Sequence, residues 1–383
     1  MIKARYDFRR GLASPNRSSL ANGLLLAALM GSATLASLGG CSSEVEPEED
    51  IDTEVENLAD EEEELAMEPA PTPPAEPVPP PPFAAVSGGP TANGLEIPED
   101  YQDWRVIGVA DRTDNGSIRV LVGNDIAVDA ARSGDTNPWP DGSMIAHYVW
   151  ADGANEDARL TIAPGDFTNL TLMVKDSAAY AEDGGWAYGA WAGPDLMPST
   201  NAQFDRACVD CHTSRVADRD FVFTDPGIFP TDEEMAAAAP TLTGLALPAD
   251  IRDWRVIGVA NRNDNNTIRV IVGNDIAVDA ARSGSINPWP TGSMLAHYVW
   301  AKDVNPVAPE MVAPGAFGGF TLMVKRGAAL PVDGGWQYGN WGTSALVPST
   351  DAQFDRDCVS CHTGLVGDQD FVFTRPGAFP SLD

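Results

Sequence analysis

The strongest constraint in this sequence is that it states one pattern twice. Asp103 to Ala110 recurs as Asp253 to Ala260, and Val122 to Asp129 recurs as Val272 to Asp279. Asn137-Pro138-Trp139-Pro140 recurs at 287–290, His147 to Trp150 at 297–300, and Cys208 matches Cys358. The offset is 150 residues at every anchor, so the copies carry no net insertion between them. A period this long marks a duplicated domain, not a short-period solenoid. The reading is domain 1 over 91–230, a linker at 231–243 and domain 2 over 244–383.

Within each copy the pattern is mixed. Ser117–Val122, Met144–Trp150 and Leu170–Lys175 carry strand signals. Asn124 caps a predicted helix that runs to Arg132 and stops at Gly134. Pro138 and Pro140 make a rigid turn. Thr200 is the expected cap of a second helix running through Phe204 to Cys208. Strands dominate and lie too close together for parallel crossovers. The expected fold class is α+β: two tandem copies of an antiparallel sheet with a few helices.

Ahead of the repeats the chain changes character. Lys3, Arg5, Arg9, Arg10 and Arg17 precede a short apolar stretch that begins at Leu24, too short and interrupted to span a bilayer. This reads as an export signal over 1–40. Leu38-Gly39-Gly40-Cys41 resembles a lipobox, which implies acylation of Cys41 and a bacterial lipoprotein; plain secretion with cleavage near Ala36 is the alternative. Ser42 after the cysteine points to the periplasmic face of the outer membrane. Residues 41–90 then form an acidic spacer of charge −15, with nine prolines between 69 and 82 that favour stiff extended chain.

The whole chain carries a formal charge of −32. That excludes nucleic acid as a partner, because phosphate contacts need Lys and Arg. It leaves room for a basic partner, such as a small redox protein, steered by long-range attraction. The first repeat holds −14 and the second −4, so the first is the expected docking face for such a carrier.

The chemical signal is Cys208-Val209-Asp210-Cys211-His212, matched by Cys358-Val359-Ser360-Cys361-His362. One helical turn sets two thiols under the two vinyl groups of a haem, and the next histidine points at its iron. Zinc would want a further ligand beside each motif, and a redox dithiol has no need of the histidine. The expected cofactors are therefore two haem c groups, with His212 and His362 as iron ligands. The chain has four histidines; the remaining two, His147 and His297, occupy equivalent strand positions. Three readings of them stay open: satisfied core residues, lining of the haem pocket, and direct ligation of iron. Met144, Met173, Met294 and Met323 are weaker ligand candidates whose default role is packing.

The ordered set Gly-Asn-Asp-Ile-Ala-Val, Arg-Ser-Gly, Asn-Pro-Trp-Pro-x-Gly, Met-Val-Lys, Gly-Gly-Trp and Cys-x-x-Cys-His with Phe-Val-Phe-Thr resembles the cytochrome P-460 family, over about 101–224 and 251–374. The resemblance implies a sheet-rich haem domain, five-coordinate iron and dimers of such domains, with the related cytochrome c′-beta proteins only binding small gases. It implies oxidation of hydroxylamine and binding of nitric oxide by enzymes that join a lysine to the porphyrin rim. Here the position of that lysine falls on His147 and His297; Lys175 and Lys325 are the only other lysines paired between the repeats. Arg119 and Arg269 match a pocket arginine of the family. The expectation is a haem cytochrome for electron transfer or for small nitrogen-oxide or gas ligands. The alternative is an oxidoreductase acting on hydroxylamine or nitric oxide. Duplication adds a further expectation, an internal pseudo-dimer of the two domains.

Overall fold

The computed structural model describes residues 87–223, 225–330, 334–343 and 345–382. The export signal, Cys41 and the spacer as far as residue 86 lie outside the described residues.

In the first repeat β1 (Arg105–Arg112), β2 (Ser117–Gly123), β3 (Met144–Ala154), β4 (Thr161–Lys175), β5 (Trp186–Ala192) and the short β6 (Met197–Pro198) follow one another in an antiparallel sheet. Helix α1 (Asp125–Ser133) joins β2 to β3, and α2 (Ala202–Val216) follows β6. A short α3 (Asp232–Ala237) leads to the second copy: β7 (Arg255–Arg262), β8 (Thr267–Gly273), α4 (Asp275–Ser283), β9 (Met294–Val304), β10 (Met311–Lys325), β11 (Trp336–Gly342), β12 (Val347–Pro348) and α5 (Ala352–Val366).

Local chemistry explains α1 well. The Asn124 side chain accepts from the Ala127 N–H at 3.0 Å, satisfying one donor that a helix start leaves open. Gly134 ends the helix at φ 81°, a left-handed position that costs glycine little. The strands differ more from the sequence expectation. The strand read at 170–175 is the end of the longer β4, and β1 and β5 carried no strand signal of their own. Both are buried along nearly their whole length, so the alternation that marks a half-exposed strand is missing. Helix α2 is capped by Asn201, whose side chain accepts from the Gln203 N–H at 2.9 Å, one residue after the expected Thr200.

The two repeats share one sheet. β1 pairs with β10 at Asp111–Val312 and Arg112–Met311, and β4 pairs with β7 at Thr161–Arg262 and Ile162–Asn261. Together with the hairpins inside each repeat, these pairings close a circuit of eight strands, β1-β2-β3-β4-β7-β8-β9-β10, from which β5–β6 and β11–β12 branch. Alternation along β3 sends Ala146, Tyr148 and Trp150 into a core built from both repeats, together with Val120, Leu172, Trp300, Tyr298 and Phe320. Ile145 faces a separate cluster private to the first repeat, and Leu295 does the same in the second.

The segments after α2 and α5 cross over. Gly227 and Gly377 donate to Ile107 O and Ile257 O of their own repeats, both at 2.9 Å. One residue later the Ile228 carbonyl accepts from Trp300 Nε1 at 2.8 Å, and the Ala378 carbonyl accepts from Trp150 Nε1 at 3.0 Å. Phe229 packs edge-on against Tyr298 and Trp300, as Phe379 does against Tyr148 and Trp150. A core drawn from both repeats should melt as one unit. Trp150→Ala should cost ~3–5 kcal/mol, the range for truncating a fully buried aromatic, and calorimetry should still show a single transition; two separate transitions in the parent chain would contradict a common core.

Candidate haem site

Helix α2 carries Cys208, Cys211 and His212 within one turn and a half, and α5 repeats this with Cys358, Cys361 and His362. Cys208 is half-buried against the apolar cluster and Cys211 is exposed at its edge. His212 lies between two rings: Tyr188 of β5 at 4.7 Å and Phe223 at 4.8 Å between centroids. His362 has the same neighbours in Tyr338 and Phe373, both at 4.9 Å.

The orientation of each ring is fixed by a backbone carbonyl. His212 Nδ1 is 2.6 Å from Phe221 O, and His362 Nδ1 is 2.7 Å from Phe371 O. A carbonyl can only accept, so Nδ1 carries the proton and donates. Nε2 is left with its lone pair, the tautomer a metal-ligating histidine needs. Burial lowers the pKa of both imidazoles, opposed by that hydrogen bond.

The carbonyl in turn sits on a tightly held loop. Asp220 and Phe221 both adopt left-handed backbone, φ 47° and 65°, and Asp370 and Phe371 repeat it at 51° and 66°. Such a pair of non-glycine residues persists only where surroundings over-determine it. Here Asp220 accepts from the Trp139 N–H at 2.8 Å and from Lys175 Nζ at 2.7 Å. Lys175 also donates to Gly184 O at 3.2 Å and lies over the Trp186 ring. Asp370, Trp289, Lys325, Gly334 and Trp336 build the same knot. Gly184 is needed for close approach, because a Cβ there would fall 2.1 Å from the Phe221 ring. Lys175 and Lys325 are thus held in buried ion pairs and do not stand in for the missing lysine.

His147 occupies the middle of β3, opposite Leu121 on β2 and Thr171 on β4. His297 sits between Ile271 and Thr321 in the same way. Each lies on the strand face away from the shared core. Both side chains are half-buried on that face. Burial, the charge of Arg119 and that of His212 push His147 down to about 3; burial, Arg269 and His362 do the same to His297. Both imidazoles are therefore neutral at ordinary pH. His297 Nδ1 is buried with no hydrogen-bond partner among the described residues.

Arg119 projects from the same face of β2 and donates to Ser117 Oγ at 2.5 Å, with its Nε unpartnered among the described residues. Burial pushes the Arg119 guanidinium down to about 10 and that of Arg269 to about 9. A cation and a neutral imidazole thus lie on one face of the sheet, near the histidine of the Cys-x-x-Cys-His helix in each repeat. Met144 packs with the shared core, on the opposite side of the sheet. Met173 packs with Trp186, Tyr188 and Val209.

Two parts of the site went unread in the sequence. Tyr188, Phe223 and Asp220 gave no signal beyond the Phe-Val-Phe-Thr string at 221–224. The wall from the opposite repeat gave none. The hairpin between β9 and β10 reaches over the first site, where Asn305 Nδ2 donates to Phe223 O at 2.6 Å and Met311 packs with Ala110 and Phe223. The hairpin between β3 and β4 does so at the second, through Asn155 Nδ2 to Phe373 O at 3.1 Å. Beside α5 an open cleft of about 390 Å³ is lined by Trp336, Tyr338, Val359 and Leu330. Among the described residues no three His, Cys, Asp or Glu side chains form a metal-binding group. A porphyrin supplies its own four nitrogens, so one carbonyl-oriented imidazole, aromatic walls and, in the first repeat, two thiols on the same helix suit haem better than a bare ion.

Fold and site together define a class: a sheet-rich domain with a carbonyl-oriented histidine on a C-terminal helix, and a second histidine and an arginine on the sheet face near it. Residues 98–224 and 248–374 each match the cytochrome P460 family, and the chain belongs to that family of haem-binding cytochromes. No curated protein matches the chain. The knot behind the histidine has a measurable strength. Lys175→Met would strand a buried carboxylate at Asp220, and chemical denaturation should show a loss of ~3–5 kcal/mol; a loss below about 1 kcal/mol would mean the pair behaves as a surface pair.

Proposed function

We propose that the chain is an exported, lipid-anchored cytochrome that binds two haem c groups and either passes electrons or holds a small nitrogen oxide or other diatomic ligand. The observation that carries this reading is the hydrogen bond from His212 Nδ1 to Phe221 O, repeated at His362 and Phe371, beside a Cys-x-x-Cys pair on the same helix. Bound haem supplies an iron that cycles between two oxidation states and takes small ligands. The protein's part is to hold it. Cys208 and Cys211, and Cys358 and Cys361, would add their S–H bonds across the two vinyl groups. His212 and His362 would present Nε2 to the metal. Tyr188, Phe223, Tyr338 and Phe373 exclude water from that side.

On the sheet face His147 and His297 are neutral and able to ligate or to accept a hydrogen bond, while Arg119 and Arg269 supply a fixed positive charge that would polarise a bound ligand. The strand pairings β1–β10 and β4–β7 and the crossed segments support reading the two domains as an internal pseudo-dimer. The second reading, an oxidoreductase on hydroxylamine or nitric oxide, is favoured by the family. It is weakened by histidine at 147 and 297 and by the buried ion pairs that hold Lys175 and Lys325.

Haem content decides the cofactor claim. The matured chain should carry two covalently bound haems, and Cys208→Ala/Cys211→Ala should leave one. Zero haem in the parent would end this reading. A ferrous spectrum of ordinary c-type form without hydroxylamine turnover is expected, whereas a strongly red-shifted Soret band with turnover would establish the second reading. Export is tested apart from this: Cys41→Ala should move the chain from the membrane fraction to the soluble one, and a variant that stays on the membrane would rule out anchoring through Cys41.

A further inference from the structure

Asp220 and Asp370 show how this fold houses a buried carboxylate: each meets a lysine ammonium and a tryptophan backbone N–H. Asp111 has neither. It lies in the joint between the repeats with 0% of its surface exposed, and Asn261 beside it has 2%. The cations nearest to it are engaged elsewhere, Arg119 with Ser117 Oγ at 2.5 Å and Lys302 with Asn263 Oδ1 at 2.6 Å. Among the described residues its side chain accepts one hydrogen bond, from Asn261 Nδ2 to Oδ2. Asp111 Oδ1 and Asn261 Oδ1 are then both buried without a partner. Two acceptors are orphaned on two groups that already touch, and an orphaned buried acceptor costs stability.

One proton removes both faults. A carboxylic acid and a carboxamide form a ring of two hydrogen bonds. The amide N–H donates to one acid oxygen, and the acid O–H donates to the amide oxygen. The first of these bonds is present. A proton on Asp111 Oδ1 supplies the second and removes a charge from the interior. The surroundings agree. Burial pushes the Asp111 carboxyl up, against the Asn261 hydrogen bond and the charges of Lys302 on β9 and Arg119 on β2. Asp152 on β3 is close enough to feel Asp111, so a second negative charge there is resisted. β7 presents the uncharged Asn261, and β10 pairs here through the apolar Met311 and Val312.

The position of this pair gives it a consequence. Asp111 is one of the two residues by which β1 holds β10. The hairpin that leads into β10 covers the first site: Asn305 Nδ2 donates to Phe223 O, and Met311 packs with Ala110 and Phe223, whose ring lies edge-on to His212. A charge formed at Asp111 would open the ring and call water into the joint under that hairpin.

We propose that Asp111 is a neutral carboxylic acid closing a two-bond ring with Asn261, and that its ionisation as pH rises loosens the β1–β10 joint and the hairpin it carries over the first site. The ring stands without the haem reading; the meaning of a loosened hairpin rests on it. A carboxyl whose folded pKa is raised keeps its proton where the unfolded chain has lost its own. Its stability is fully present below the ordinary value of 3.8 and is lost as pH rises to the folded value.

Asp111→Asn tests this, because an Asn–Asn pair keeps both bonds of the ring without a titrating group. It is made in the full haem-loaded chain and read at pH ~6, roughly two units above an ordinary aspartate. The substitution should remove a protonated-carboxyl C=O band from the infrared spectrum and leave the carboxylate bands unchanged. Relative to the variant, the parent's unfolding constant should rise up to tenfold per pH unit from about pH 4 until that band disappears, and then level off. Amide protection at 305–312, corrected for intrinsic exchange, should fall over the same span in the parent alone. Loss of a carboxylate band instead, the mark of an ionised Asp111 satisfied by buried water, overturns the proposal. A flat stability difference overturns it as well, and unchanged protection at 305–312 overturns the loosened hairpin. Should Asp111→Asn not fold, Asp152→Asn on the exposed part of β3 takes its place. The protonated band must survive there, and its loss would assign the proton to Asp152 and overturn the ring. A chain that carries no haem leaves all of these readings intact and ends only the link between the hairpin and a haem.

Discussion

Each repeat leaves two strand edges that its own hairpins cannot satisfy. β1 pairs with β2 on one side only, and the first residues of β4 extend past the reach of β5. An open edge is a row of unmet backbone donors and acceptors and a site for unwanted association. The duplicated chain meets both edges with its own second copy, through β1–β10 and β4–β7. Once the circuit closes, the inward faces of both halves have no exit but each other. Tyr148, Trp150, Tyr298, Trp300 and Phe320 become one core. The other face of each half is then free to carry a helix and a site, and the hairpins that turn back at the joint are carried over the opposite site.

That arrangement explains why the site is rigid in its second layer. A metal-binding imidazole works only if its other nitrogen is held, and here the holder is a backbone carbonyl. A carbonyl is as well placed as its loop. The loop is forced into left-handed backbone at two successive residues and is pinned by a carboxylate that accepts from Lys175 and from the Trp139 amide. Trp139 comes from the turn after α1, Lys175 from the end of β4 and Gly184 from the turn before β5, so three separate connections converge behind one ring. A buried ion pair is poor evidence for net stability. As a device that gives a strained loop one position it is well suited, because any other position leaves two charges unpaired.

The sequence showed the duplication, the cap and stop of α1, the Cys-x-x-Cys-His helix and the family. It did so because each is a local signal: a repeat offset, an Asn124 cap with Gly134, a five-residue motif. β1 and β5 were silent because a strand buried on both faces has no alternation to read. Lys175 was legible as a conserved-looking pair with Lys325 between the copies, yet its role was not, since Asp220 lies 45 residues away. The position of His147 on its strand followed from period two. Its neutral state follows from burial within the sheet, with the closeness of Arg119 and His212 added to it, and no spacing rule reports either. The hairpin wall comes from a segment 82 residues distant in chain at the first site and 218 at the second, and it needed the closed circuit to be seen.

Joining two copies in one chain permits contacts that a symmetric pair of chains cannot make. Across a true two-fold, a residue on the axis meets itself. Asp111 and Asn261 are equivalent positions that meet in the buried centre of the joint, and the Asn261 amide donates to the Asp111 carboxyl. Two aspartates there would repel, and burial already pushes the Asp111 carboxyl up. Asp152 and Lys302 are a second such pair of equivalents, now opposite in sign, and both act on Asp111: the first raises the charge density near it and the second offsets it. In both cases the two copies carry different residues at equivalent positions, and the arrangement around Asp111 is complementary instead of self-opposed. Duplication thus does more than double the site. It frees the residues around the pseudo-axis from matching themselves, which is the condition for two sites of one origin to take different tasks.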